Sequence, residues 1–558
     1  MPGRDAVEEK TIAELQADLT AGRTTSVALV DAYLQRIDRL DDAGPTLNAV
    51  LAKNPRARDD AASLDAERKA KGPRGPLHGI PILVKDNIET ADPMPTTAGS
   101  LALAENVTMR DAPIVARLRA AGAIILGKTN LSEWANMRSN ESISGWSAIG
   151  GLTKNPYALD RNACGSSSGS GAAVAASLGA AALGTDTSGS IICPSAVSGV
   201  VGLSPTVGLL SRTHLVPVSR TQDAPGPIGR TVADAAALLT VMAGSDPLDP
   251  ATAEADAHKQ DYSAALRLDA LRGKRVGLLA FLLDNDPDLD LEMEDAIDVL
   301  RDAGAEVVRI DQGPDIAPLQ ERQAIILLTE MRVDLNRYLE TAAPAVRCRS
   351  LADLIAFNEK NAPAELALFG QDLLRQAEAT RGLDDPRYKA ALVYAEAAAG
   401  PGGIDRLLAE HEVDVLVGPT AGRAWENKTL LGAGSFNLYA TLSSVAGYPQ
   451  LTVPMGDIMG LPVGLSFIGP AWSDGALLGY GYAYEQRAHA RIRPTYAPTV
   501  SERGRTRARI VRRLAGWPGA LGGAGILAVG LGAVLVRRRA RRPVKRASSS
   551  ARVDAPHG

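Results

Sequence analysis

Four times along this chain a helix-forming stretch breaks at a glycine or polar turn and is followed at once by a short apolar run. The stretches are APIVARLRAAGAIILGKTN (112–130), SGAAVAASLGAAALGTD (170–186), LEMEDAIDVLRDAGAEVVRID (291–311) and GIDRLLAEHEVDVLVGP (403–419). Apolar runs this short, without strict alternation, suit strands covered on both faces. The helix beside each run supplies the cover, so the pattern predicts an α/β fold: a central, mostly parallel mixed sheet with helices on both faces. At its start, Thr11 and Glu14 form a capping box, and Val27, Val30, Leu34, Ile37 and Leu40 recur at helical spacing. Residues 250–410 carry more helix signals and fewer Gly/Ser motifs, and are expected to be a helical insertion within a catalytic domain spanning 1–495.

Charge divides the chain differently. The formal net charge is −4, yet residues 503–558 hold 14 Lys and Arg against one acidic residue, leaving the preceding 502 residues strongly acidic. A body of that sign is a poor partner for nucleic acid, and none is expected. The basic residues bracket LAGWPGALGGAGILAVGLGAVLV (514–536), 23 uncharged residues, where about 20 cross a bilayer as a helix. The tail is therefore expected to be a basic linker (496–513), a single-pass transmembrane helix (514–536) and a basic tail (537–558), anchoring the protein to the cell membrane. MPGRDAVEEKTIAELQADLT holds no apolar export signal, so the catalytic domain is expected on the cytoplasmic side. Cys164, Cys193 and Cys348 are too few for a disulfide framework, which agrees with a reducing compartment.

Three stretches carry the candidate chemistry. GTDTSGSIICPS (184–195) packs hydroxyls and bare backbone around Ser190, and a hydroxyl nucleophile needs a base within hydrogen-bond reach. None of the six histidines sits in a catalytic setting; His214 in SRTHLVP is the best of them. CGSSSGSG (164–171) contains a GxSxG match at 165–169, but the polar TKNPYALDRNA before it is not the strand a nucleophile elbow requires. GIPILVKDN (79–87) delivers Lys85 at the end of an apolar run. As a base that lysine must be neutral, and moving its pKa from about 10.4 to about 7 takes roughly 5 kcal/mol, which burial can supply. Cys193, three residues from Ser190, reads as a small buried hydrophobe rather than a thiol nucleophile. No HExxH, CxxC or phosphate-binding loop occurs, so no metal or cofactor is expected.

Taken together, GIPILVKDN, TTAGSLAL, GAIILGKTNLSEWAN, CGSSSGSGAAVAASL, GTDTSGSIICPSAVSGVVGLSPTVGLLSR, AGYPQLTVPMG and GLPVGLSFIG strongly resemble the amidase signature family of serine hydrolases. The resemblance spans about residues 10–493. Within the family, TADPMPTTAGSLAL, EWANMRSNESISGWSAIGG and SRTHLVPVSRTQDAPGPIGRTVADAAALL look most like the bacterial peptide amidases, which release ammonia from peptide C-terminal carboxamides. The resemblance implies Ser190 as nucleophile, Ser166 as a bridging serine after a cis peptide bond, and Lys85 as base. It also implies an oxyanion hole from the N–H groups of Thr187, Ser188, Gly189 and Ser190, with Ser167, Thr185 and Asp186 as supports behind the site. Asp186 could equally cap a helix. The sequence departs from the family pattern at Ser188 and Ile192, and at Cys164 and Ser168, which replace glycines. If position 188 required positive φ, its serine would strain the oxyanion hole. The alternatives are an amidotransferase A-type subunit, an amidase acting on other small amides, a scaffold on a dead amidase fold, and a Ser-His-Asp esterase using His214.

Overall fold

The computed structural model describes residues 6–283, 286–427 and 438–500. Its centre is one sheet of eleven strands: β1 (Val50–Lys53), β2 (Pro81–Lys85), β3 (Ile124–Thr129), β4 (Ala181–Asp186), β5 (Val201–Ser204), β6 (Ala224–Gly229), β7 (Arg275–Leu279), β8 (Glu306–Ile310), β9 (Val415–Pro419), β10 (Gln450–Ile458) and β11 (Leu461–Ile468). The strands lie in the order β1-β3-β2-β4-β6-β5-β10-β11-β9-β7-β8. Every residue of β2, β3, β4, β6, β9 and β11 is buried, as in strands covered on both faces.

All four helix-then-strand units form. Helix Pro113–Ala120 stops before Gly122 (φ 86°) and leads into β3. Helix Ser168–Ala175 leads into β4, helix Pro287–Asp302 into β8, and helix Arg406–Glu410 into β9. The capping box at Thr11 and Glu14 is present. In helix Ser26–Leu40, Val30 and Ile37 are buried while Val27, Leu34 and Leu40 pack against the same core.

The sheet is mixed, but the expected predominance of parallel pairing is corrected. Parallel pairs occur only on the flanks, β3/β2, β2/β4, β9/β7 and β7/β8. The six remaining pairs are antiparallel. Helix-then-strand units suggest crossovers and hence parallel pairs, but the antiparallel pairs mostly join strands linked by long connections, whose relative direction no local pattern fixes; only β10 and β11 are joined by a tight turn. β10 and β11 are joined by Met459 and Gly460 alone, both left-handed (φ 58° and 82°), the geometry of a tight hairpin turn.

Two strands, β7 and β8, fall inside the stretch expected as a helical insertion; helices Ala317–Glu340, Leu351–Lys360, Asp372–Glu378 and Pro386–Ala399 fill its later part. The long helix Ala317–Glu340 buries Met331, Leu335, Tyr338 and Leu339 in a cluster with Ala98, Leu103 and Trp134.

The anticipated transmembrane segment 514–536 lies outside the described residues. Among the described residues no helix is long and apolar enough to cross a membrane. The expected placement at the cell membrane, with a single-pass anchor and a cytoplasmic catalytic domain, is corrected accordingly: nothing in the folded body supports it.

The cysteines also depart from expectation. Cys164 and Cys193 form a disulfide, while Cys348 is free and buried. A spacing of 29 residues says nothing of proximity, and the fold brings the two together. Cys193 is therefore neither a free hydrophobe nor a thiol nucleophile, and the inference of a reducing compartment loses its ground.

Candidate active site

Because β2 and β4 are parallel neighbours, paired Ile82 to Ala181 and Val84 to Leu183, their last residues reach the same edge of the sheet. That edge receives Lys85 from β2 and Thr185 and Asp186 from β4. Two loops complete it: 163–167, which precedes helix Ser168–Ala175, and 187–191, which precedes helix Ile192–Val197.

Lys85 is completely buried. Its Nζ lies 2.8 Å from Ser166 Oγ, 2.8 Å from Thr185 Oγ1 and 3.1 Å from the Thr185 carbonyl oxygen. Burial lowers its pKa from 10.5 to about 7, against the opposing pull of Asp186 and Asp223. A neutral amine carries two N–H bonds and one lone pair. Donating to the two Thr185 oxygens leaves the lone pair facing the Ser166 hydroxyl, the arrangement a base needs. Asn87 Nδ2 donates to the same Thr185 Oγ1 (2.9 Å) and so helps to hold it.

Ser166 follows a cis peptide bond from Gly165, and its carbonyl accepts from the Ser132 N–H (3.0 Å). A Cβ on Gly165 would fall 2.1 Å from Ser132 Oγ, so no side chain fits there. Ser167 ties the two loops and β4 together. Its N–H donates to the Ser190 carbonyl (3.1 Å), its Oγ donates to the Thr185 carbonyl (3.1 Å), and the Thr185 N–H donates back to that Oγ (3.2 Å). Ser190 is 8% exposed, while Ser166 and Lys85 are wholly covered; of the three, Ser190 is the one an outside molecule can reach.

Asp186 both supports the loop and caps it. Its carboxylate accepts from the N–H groups of Gly189 (2.6 Å), Ile191 (2.6 Å) and Ile192 (3.4 Å). Burial raises its pKa, and these backbone donors pull it down. This corrects the expected oxyanion set at Gly189, whose N–H is already committed to Asp186. The residue in the left-handed region is also Gly189, at φ 90°; Ser188 is not, so the strain anticipated there does not arise. Replacing Asp186 by Asn puts an amide where some of these N–H groups need an acceptor. Asp186→Asn is expected to lower kcat about 10- to 100-fold with little change in KM, measured by steady-state turnover.

Several further side chains surround the site, Gln222 and Asp223 from the quoted stretch SRTHLVPVSRTQDAPGPIGRTVADAAALL and Gln323 from outside every motif. Asp223 accepts from Thr187 Oγ1 (2.6 Å) and from the N–H groups of Val218 and Ser219, and burial raises its pKa to about 6. Gln323, on helix Ala317–Glu340, donates from Nε2 to Gln222 Oε1 (2.8 Å) and to Ser188 Oγ (3.4 Å). Gln222 also lines a cavity of about 250 Å³, together with Val207, Ile326, Leu392, Trp472 and Glu396. Asn87 falls within GIPILVKDN, but Gln323, 135 residues from Ser188, leaves no local trace. His214 is half-buried, its carbonyl accepting from the Glu89 N–H (3.1 Å), and no hydrogen bond joins its ring to Ser190.

At this edge of the mixed sheet a buried lysine meets one serine hydroxyl, and a second serine stands nearby on a glycine turn. The family model described as Amidase matches residues 28–478, and the chain belongs to the amidase signature family. It is 40% identical to a probable amidase of Arabidopsis thaliana over 504 residues, covering 88% of this chain and 92% of that one. It is similar to the crystal structure of the native peptide amidase from Stenotrophomonas maltophilia, with 51% identity, TM-score 0.84, and 88% and 100% of the two chains covered. It is also 36% identical to the A-type subunit of the glutamyl-tRNA(Gln) amidotransferase of Halorhodospira halophila, covering 86% of this chain and 97% of the relative. The protein is an amidase.

Proposed function

We propose that this amidase releases ammonia from carboxamides, foremost the C-terminal amide of peptides, through a Ser190 acyl-enzyme driven by a Ser166–Lys85 relay. The observation that carries the reading is the 2.8 Å contact between Lys85 Nζ and Ser166 Oγ in a fully buried setting that favours the neutral amine. Neutral Lys85 takes the Ser166 proton as Ser166 takes that of Ser190, and Ser190 Oγ attacks the amide carbonyl. The N–H groups of Thr187, Ser188 and Ser190 meet the developing oxyanion, where each fixed donor is worth on the order of 100-fold in rate. Ser166 then returns a proton to the leaving nitrogen, ammonia departs, and water, activated by the same relay, cleaves the ester.

The peptide preference rests on the 51% identity to the Stenotrophomonas maltophilia enzyme. A cavity lined by Gln222, which Gln323 links to Ser188, supports it. The amidotransferase relative supports a second reading, in which free glutamine is the ammonia source. Ammonia release from amidated dipeptides, glutamine and an aryl amide separates the two. The expected result is a kcat/KM for the dipeptide amides at least about tenfold above that for glutamine, a difference of about 1.4 kcal/mol in transition-state stabilisation. Turnover of glutamine alone overturns the peptide reading and favours the amidotransferase one.

A further inference from the structure

The disulfide Cys164–Cys193 lies within the catalytic loops. Cys164 stands two residues before Ser166, and Cys193 three residues after Ser190. Both are buried, at 0% and 3% exposure. Among the described residues it is the single covalent tie between the segment that presents the bridging serine and the one that presents the nucleophile.

Each end is rigidly attached to its own segment. The Cys164 N–H donates to Asn162 Oδ1 (2.7 Å), and Ser168 Oγ donates to the Cys164 carbonyl (2.5 Å). On the other side the Cys193 N–H donates to the Gly189 carbonyl (2.9 Å), which ties the Cys193 backbone to the turn carrying Ser190. Cys164 has φ 55°, in the left-handed region that glycine occupies at lower cost. Glycine would serve the backbone better there, but only cysteine can bond across to Cys193.

We propose that Cys164 and Cys193 are positioning residues: their disulfide holds Ser166 Oγ in register with Ser190 Oγ for proton transfer, and its reduction slows turnover. The inference rests on the reading of Ser190 as nucleophile and Ser166 as relay. Reduction by a dithiol breaks the S–S bond, adds two electrons and two protons to leave two cysteine thiols, and oxidises the dithiol to its own disulfide. Two sulfurs that were bonded become non-bonded neighbours and must separate by more than about an ångström. A close-packed interior has no slack to absorb that locally, so the displacement passes to residues 165–166 and 189–192. A misplacement of about 1 Å between reacting groups costs on the order of 100-fold.

The test uses the full chain in three forms: oxidised, reduced with dithiothreitol, and the double variant Cys164→Gly/Cys193→Ala. Thiol alkylation followed by mass spectrometry verifies the redox state. Two rates are read well below each form's melting midpoint: phosphonylation of Ser190 by a fluorophosphonate, which needs no choice of amide, and turnover of an amidated dipeptide. Both rates are expected to fall about 10- to 100-fold in the reduced protein and in the variant, with KM within about threefold of the oxidised enzyme. Dithiothreitol should not slow the variant further, and reoxidation should restore the wild type. If either disulfide-free form melts earlier yet keeps both rates within twofold, the bond is only a structural staple and the proposal is wrong. Oxidised protein that hydrolyses the amide without phosphonylation at Ser190 overturns the nucleophile assignment, and the positioning role with it.

Discussion

Replacing Ser190 by alanine is expected to lower amide hydrolysis by about 10⁴-fold or more, the largest effect of any single change in this protein. The alanine keeps the backbone N–H groups of the turn and the contact from Ser167 to the residue 190 carbonyl, so binding of the amide should persist while the acyl-enzyme cannot form. The measurements are ammonia release and mass spectrometry of the acid-quenched enzyme, in which the acyl adduct seen on the wild type should be missing. Ser166→Ala should also be severely impaired, because the proton of Ser190 then has no relay to Lys85. The double variant Ser166→Ala/Ser190→Ala should be scarcely worse than Ser190→Ala, since groups that act as one unit lose their effect together. Additive losses from the two changes would show that the serines work independently and would remove the relay.

Lys85→Met is expected to cost about 10³-fold in kcat/KM near pH 7, within the range of a lost general base. Methionine fills a similar volume, so the cost to folding is confined to the three oxygens left without the amine, at about 1–3 kcal/mol for a buried group so stranded. The pH dependence separates a base from a packing residue. Wild-type kcat/KM should rise with pH through about 7 as Lys85 loses its proton, and the variant should lack that inflection. Stability moves in the same direction. Between about pH 7 and 10.5 the unfolded lysine holds a proton that the buried one has released, so the unfolded state binds more protons and unfolding free energy increases with pH across that window. Below about pH 7 both states are protonated and the full penalty of burying the ammonium applies. Lys85→Met should show no such gain, a difference read from denaturation midpoints at pH 6 and pH 9. A wild-type rate independent of pH between 6 and 9 would argue against a neutral lysine as base.

What is legible in the sequence is whatever is encoded locally. Each helix-then-strand unit announces itself through the change of apolar period and the glycine or polar turn between, and the capping box at Thr11 needs only four residues to be seen. The β10–β11 hairpin escapes such a reading because its turn is Met459-Gly460, without the Asn or Asp that usually marks such a turn. That omission is part of why the centre of the sheet is expected to be parallel and is not.

By itself the sequence determined the α/β class, the apolar run that delivers Lys85 to a strand end, and the two serine-rich stretches whose motifs place the chain among the amidases. Only the tertiary structure decided which of these meet. It sets Lys85 against a serine 81 residues away, joins Cys164 to Cys193, brings Gln323 to Ser188, and commits the Gly189 N–H to Asp186. The physical reason is that burial and close approach belong to the whole packed chain. A lysine is an ordinary cation until eleven strands and their covering helices remove the water around it, and two cysteines are unrelated residues until the sheet edge lays their loops side by side.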